Sequence, residues 1–285
     1  MMAGLAEGTI AALYVAACEA ELDALKPGNV HRIAGGHRME VAAFETSARV
    51  SAPHVAAAGR RLGARVLGAV RATRGAVGEN TNLGILLLSA PLAMAAERGG
   101  DLRRSLEAVL AGLDGTDAAD VFSAIALAAP GGLGTRGEAD VRSPPSIGLL
   151  DAMRIAAPGD RIARAYTDAF EDVFAVGLPN LIETPEPPPA STTRCFLAFA
   201  RRFPDSHVAR KYGLETAERL RHRFEILSKQ LKVITNPDAR QAALLDLDCA
   251  LKAEGVNPGT SADFTVASIF AMGLSSGLKN NEAGG

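Results

Sequence analysis

Ala217, Leu220, Phe224, Leu227, Leu231 and Ile234 recur in alternating steps of three and four. That spacing returns each side chain to one face of a 3.6-residue turn, so it predicts a helix with an apolar stripe and with Arg219, Arg221 and Arg223 elsewhere around it. The same period runs through "TIAALYVAACEAEL", the long stretch from Ala42 to Thr73, "SIGLLDAMRIAA" and "DRIARAYTDAFEDVFAVG". Nothing longer than about five residues alternates at period two with strand-forming side chains. A chain so patterned is all-α. Its apolar fraction of 48% is dominated by Ala and Leu, with aromatics at 5% and no Trp, which suits closely packed helices. The expectation is a single globular helical bundle over residues 1–285, with functional loops at helix ends. The stripe from Ala217 to Ile234 is expected to face the core, a homodimer seam being the alternative.

Charge and cysteine usage narrow the function. The formal charge of −2 arises from 30 basic and 32 acidic residues spread along the chain, so no broad positive field is present to hold a nucleic-acid backbone. Cys18, Cys195 and Cys249 are odd in number, far apart and without a C-x-x-C pair. They predict buried thiols in a reducing compartment. The amino terminus carries Glu7 and Glu19 and lacks a basic start and a small-residue cleavage site, so the cytoplasm is expected. "LGILLLSAPLAMAA", Leu83 to Ala96, falls short of the roughly 20 residues a bilayer span needs and contains Pro91, so it predicts a buried core helix and no membrane partner.

Three loops rich in Gly or Pro interrupt the helices. The segment 129–146 contains a literal G-x-G-x-x-G at Gly132, Gly134 and Gly137, but no strand leads into it and Ser-Pro-Pro follows, which excludes a dinucleotide fold. The segment 178–191 carries five prolines and is expected to be a surface loop within the single domain. The first loop, "LKPGNVHRIAGGHRM", has the parts an anion site needs: Lys26 and Arg32 for charge, Gly28 for close approach, and Asn29, His31 and His37 for directed hydrogen bonds. As an ordinary helix end, the same loop would need only Lys near the negative dipole terminus and Gly as a stop.

Further polar loops repeat this style. Glu79, Asn80, Thr81 and Asn82 stand directly before an apolar helix, where capping explains one or two of them. Asp205 and His207 precede Arg210 and Lys211, and "GVNPGTSAD" leads through a Pro-Gly turn to Ser261 and Asp263. No G-x-S-x-G, P-loop or H-E-x-x-H is present, so serine hydrolase, Walker ATPase and zincin chemistry lack support.

Taken in order, these loops resemble the triphosphoribosyl-dephospho-CoA synthase family. Lys26-Pro27-Gly28 is similar to that family's "KPG", His37 and Met39 to "H-x-D-M", Asn80-Thr81 with Gly84 to "G-V-N-T-H-K-G", Asp205 to Gly213 to "D-T-H-x-x-R-K-x-G", and Asn257 to Asp263 to "N-P-G-G-S-A-D". The resemblance implies an all-helical enzyme that uses ATP and dephospho-CoA, expels adenine and joins the triphosphoribosyl group to the acceptor's ribose. It also implies Mg²⁺ bridging phosphate oxygens to Asp205 and Asp263. Lys26, Arg32 and Lys211 would neutralise phosphate, Asn29, Asn80 and Asn82 would orient the acceptor, and Gly28, His37 and Thr81 would complete the binding loops. His31 or His207 would move the proton, and Glu79 would stabilise positive charge developing at the ribose carbon.

The chain departs from the pattern in three places. His31 replaces an Asp, Met39 directly follows Arg38 so that a carboxylate is missing, and the His and Lys of "N-T-H-K-G" become Asn82 and Leu83. His31 or Glu40 would have to compensate for these losses. The variant resembles a subgroup from organisms with tetrahydromethanopterin and methanofuran-type one-carbon carriers. Condensation or group transfer in the biosynthesis of such a cofactor is therefore the alternative activity, and a non-catalytic ligand- or partner-binding protein is the second alternative.

Overall fold

The most apolar stretch of the sequence forms a helix, α4 (Leu83–Arg98), whose residues from Ile85 to Ala93 are all buried. Pro91 sits inside it and has no N–H to offer the carbonyl of Leu87 one turn earlier. The Tyr166 hydroxyl donates to that carbonyl at 2.7 Å, so a distant side chain satisfies the acceptor that the proline leaves open. No helix among the described residues is long and apolar enough to cross a membrane.

The computed structural model describes residues 4–34, 41–128, 147–183 and 187–283. Among them are fourteen α-helices and no strand, apart from a single isolated bridge between His31 and Ala34, so the protein is all-α. By contacts the chain divides into two compact units, each assembled from segments distant in sequence. The first comprises Met1–Cys18, Ala42–Asp172 and Phe270–Gly285, and the second Glu19–Val41 and Val173–Ile269. Helices α1 (Glu7–Leu22) and α14 (Gly259–Ala283) contribute residues to both.

The first unit holds nearly all of α2 (Val41–Val55), then α3 (Leu62–Val77), α4, α5 (Leu102–Ala111), α6 (Gly115–Ala128), α7 (Leu149–Ala156) and α8 (Arg161–Thr167). Helix α3 packs on α6 at Gly63, where a Cβ would lie 2.8 Å from the Asp117 carbonyl oxygen. Arg65, only 2% exposed, donates to the Val55 and Arg60 carbonyls and pairs with Glu97.

The second unit holds a π-helical turn (Val173–Gly177), α9 (Leu178–Ile182), α10 (Ala190–Arg202), α11 (Ser206–Tyr212), α12 (Leu214–Val233) and α13 (Pro237–Ala253). Ala217, Leu220, Phe224, Leu227 and Leu231 of α12 are buried in one cluster with Phe196, Val208 and Leu251. The stripe therefore faces the core, and Ile234 caps the helix end.

Two expectations need correction. The proline-rich segment opens as a helix: Pro179 occupies the first turn of α9, where no N–H is required. Cys249 is exposed, whereas Cys18 and Cys195 are buried, and burial pushes the Cys195 thiol up to about 12. The segment 129–146, with its G-x-G-x-x-G, lies outside the described residues.

Candidate functional site

In the second unit the loop after α1 turns at Gly28, whose φ of +82° and close contacts both require glycine. A Cβ there would meet the Leu251 side chain at 2.8 Å and Pro258 at 3.1 Å. The Gly28 N–H donates to Asp248 Oδ1 at 2.9 Å. Asp248 is fully buried on α13, and its Oδ2 lies 2.8 Å from Lys252 Nζ and 3.3 Å from His31 Nε2. Burial alone would raise the Asp248 carboxyl pKa, but hydrogen bonds from His31, Lys252 and the Gly28 N–H hold it below the usual range.

The loop's own polar groups are engaged inside the protein. Lys26 is fully buried; its ammonium donates to the Glu21 and Val30 carbonyls, both at 2.7 Å, and pairs with Glu21 Oε1 at 3.0 Å. An ammonium has three donors, and all three are taken. Burial lowers the Lys26 pKa against the attraction of Glu21. His31 accepts the Ala34 N–H at Nδ1 (3.2 Å), which assigns its ring proton to Nε2, facing Asp248. The Asn29 amide donates to Asn257 Oδ1 at 2.8 Å, and Arg32 pairs with Asp23. His37 lies outside the described residues.

Two further loops join this one. Asp205 caps α11: its Oδ1 accepts the N–H groups of His207 (3.0 Å) and Val208 (3.2 Å). Its Oδ2 accepts the N–H (2.8 Å) and the hydroxyl (2.9 Å) of Ser261, at the start of α14. The His207 N–H also reaches Thr260 Oγ1 at 3.0 Å, and its ring packs along Gly259. Three of the loops singled out in the sequence, around residues 26–34, 203–207 and 255–261, are thus tied together in one unit.

His207 differs from His31 in what its ring can do. Its ring nitrogens have no partner among the described residues, and burial lowers its pKa against the opposing pull of Asp205, so the imidazole is neutral near pH 7. Lys211 is exposed on the same short helix, its Nζ 5.0 Å from the Tyr212 ring centroid. Asp263 is half-buried on α14.

The fourth loop belongs to the first unit. Asn80 Oδ1 accepts the Leu83 N–H at 3.1 Å and so caps the start of α4. Thr81 Oγ1 meets Ser47 Oγ at 2.6 Å, and Asn82 Nδ2 reaches Ser51 Oγ at 3.4 Å. Ser51 in turn meets the buried Tyr14 hydroxyl at 3.0 Å. Burial holds the Tyr14 phenol well above its ordinary pKa. Glu79 is exposed.

Sequence reasoning missed Asp248 and Lys252, the groups that anchor the first loop. The signal was available: Leu244, Leu247 and Leu251 mark the inward stripe of α13, and Asp248 falls within it. A charge on an apolar stripe requires partners.

No curated protein matches the chain. The chain is similar to a crystal structure from Archaeoglobus fulgidus, provisionally described as a triphosphoribosyl-dephospho-CoA synthase, with a TM-score of 0.65 and 26% identity. The match covers 81% of this chain and 96% of that one. The family model for ATP:dephospho-CoA triphosphoribosyl transferase matches residues 7–282, and the chain belongs to that family.

Proposed function

We propose that the protein transfers the triphosphoribosyl group of ATP to dephospho-CoA. A hydroxyl oxygen of the acceptor forms a bond to the ribose carbon that carries adenine, the carbon–nitrogen bond breaks, and adenine departs with its electron pair. The hydroxyl proton passes to His207, and adenine takes up a proton as it leaves, so the balance closes. The observation that carries this reading is the family match across nearly the whole chain.

Residue roles follow from what each group has free. His207 suits the base better than His31, which is 1% exposed with both ring nitrogens engaged. Lys211 is an exposed cation for phosphate, whereas Arg32 pairs with Asp23 and Lys26 braces the loop. Asn29 keeps part of its amide for a ligand.

Asp205 does not fit as a Mg²⁺ ligand. A carboxylate has about four lone-pair positions, and four protein hydrogen bonds already fill them. No cluster of three or more His, Cys, Asp or Glu suited to a metal is present among the described residues. Magnesium enters as part of the ATP substrate. The cytoplasm, where both substrates are made, is the compartment this reading requires.

The partner-binding alternative needed the α12 stripe, which is buried. Incubation of the protein with Mg·ATP and dephospho-CoA, followed by chromatography for free adenine, is the direct test. Adenine in proportion to consumed dephospho-CoA is expected; its absence rejects the reading.

A further inference from the structure

Tyr212, the last residue of α11, is 38% exposed, and no other aromatic side chain among the described residues is exposed. Tyr14, Tyr166, Phe196 and Phe199 instead pack against other rings in the core. A surface aromatic needs no explanation by itself. This one is held in place: its hydroxyl donates to the Gly255 carbonyl at 2.8 Å, which pins the polar tip to the loop before α14 and leaves part of the ring in water. The Lys211 ammonium stands 5.0 Å from the ring centroid. Gly213 follows, where even a Cβ would meet nothing within 4 Å, so the space beside the turn is open.

The neighbours narrow what the ring can take. The Tyr212 hydroxyl at Gly255 and the His207 ring along Gly259 border the same loop, residues 255–259. His207 and Lys211 are four residues apart on α11 and so are neighbours on its surface. One short helix therefore presents an aromatic face, an ammonium and a half-buried imidazole. A planar ring stacks on the first and an anion pairs with the second; a nucleotide carries both. An apolar chain would cover the ring but leave the ammonium without a counter-ion, and a sugar phosphate would satisfy the ammonium but not the ring. The attraction between Lys211 and the ring is weak in water, so the ammonium is free to turn to a phosphate when a base takes its place.

We propose that the Tyr212 ring is the face on which the adenine of a substrate stacks, with Lys211 taking the phosphate attached to the same nucleoside. The inference rests on the transferase reading, in which ATP and dephospho-CoA each carry adenine. It deepens that reading by assigning Tyr212, which the sequence did not single out.

Calorimetric titration with AMP and with ribose 5-phosphate, which differ only in the base, tests it. The wild-type protein is expected to bind AMP about tenfold more tightly, as for one base on one aromatic side chain. Tyr212→Leu abolishes that preference with little change in ribose 5-phosphate affinity, and Tyr212→Phe, which keeps the ring and loses only the bond to Gly255, retains most of it. Lys211→Gln weakens both probes alike. A second readout is optical: the chain has no Trp, and Tyr14 and Tyr166 are buried, so stacking is expected to quench the tyrosine emission saturably with AMP, and not in Tyr212→Phe. In turnover, the KM that rises in Tyr212→Leu, for ATP or for dephospho-CoA, names the source of the adenine. Equal binding of the two probes by the wild type, or an undiminished preference in Tyr212→Leu, overturns the assignment. Adenine release without a preference for AMP removes the stacking face and spares the transferase reading; the preference without release does the reverse.

Discussion

Removing the Lys26 ammonium leaves the Val30 carbonyl and the Glu21 carboxylate short of their donor, and the Glu21 carbonyl with only the Ala24 N–H, in a region closed to water. Burial raises the Glu21 pKa and lowers that of Lys26, so each ion depends on the other. Lys26→Met is expected to cost about 3–5 kcal/mol, the usual scale for breaking a buried pair. Adding Glu21→Gln removes the stranded charge, and urea unfolding is expected to show part of the loss recovered. His207 belongs to the same scale. Its folded pKa is lowered, so its contribution to stability is present above the unfolded value of about 6.5 and is lost as pH falls through the lowered one. The acid limb of kcat/KM is therefore expected below pH 6.5, and in His207→Gln that limb disappears together with the matching pH dependence of the melting temperature. Residue types were legible in the sequence, but their assignments were not. A Lys beside Gly looks the same whether it meets a phosphate or a carbonyl, since local grammar does not record which side faces water.

Helices were the most legible level, because period and packing agree. The α12 stripe and the α4 run went to the core as their spacing required. The α9 turn was hidden because proline marks both loops and helix starts. Pro91 shows the opposite case, a breaker tolerated inside a helix because another element supplies what it lacks. Tyr166→Phe deletes that donor and leaves the Leu87 carbonyl buried and unpaired, at an expected cost of about 1–3 kcal/mol. Pro91→Ala returns an N–H one turn after Leu87. Thermal unfolding of Tyr166→Phe in the Pro91→Ala background is therefore expected to show a smaller loss than in the wild type. Equal losses in both backgrounds would mean that the hydroxyl does not serve the proline gap.

Long-range placement was the least legible level. Family resemblance named loops that belong together, but the group that gathers them, Asp248, lies mid-helix four residues from Lys252, where it looks like an ordinary surface pair. Only the approach of the first loop, through the Gly28 N–H and His31, turns that pair into a buried anchor. Asn29 then carries the constraint onward to Asn257, 228 positions away. If these bonds act as one unit, loosening the anchor must be felt at both ends. Asp248→Ala is expected to accelerate amide hydrogen exchange in residues 26–34 and also in residues 255–261, while the α3 and α6 amides of the first unit keep their protection. Faster exchange confined to residues 26–34 would show that the loops are neighbours without being coupled. Because His207 stands against Gly259 in the second of these segments, the coupled outcome also predicts that Asp248→Ala slows adenine release, although Asp248 is too deeply buried to touch a substrate.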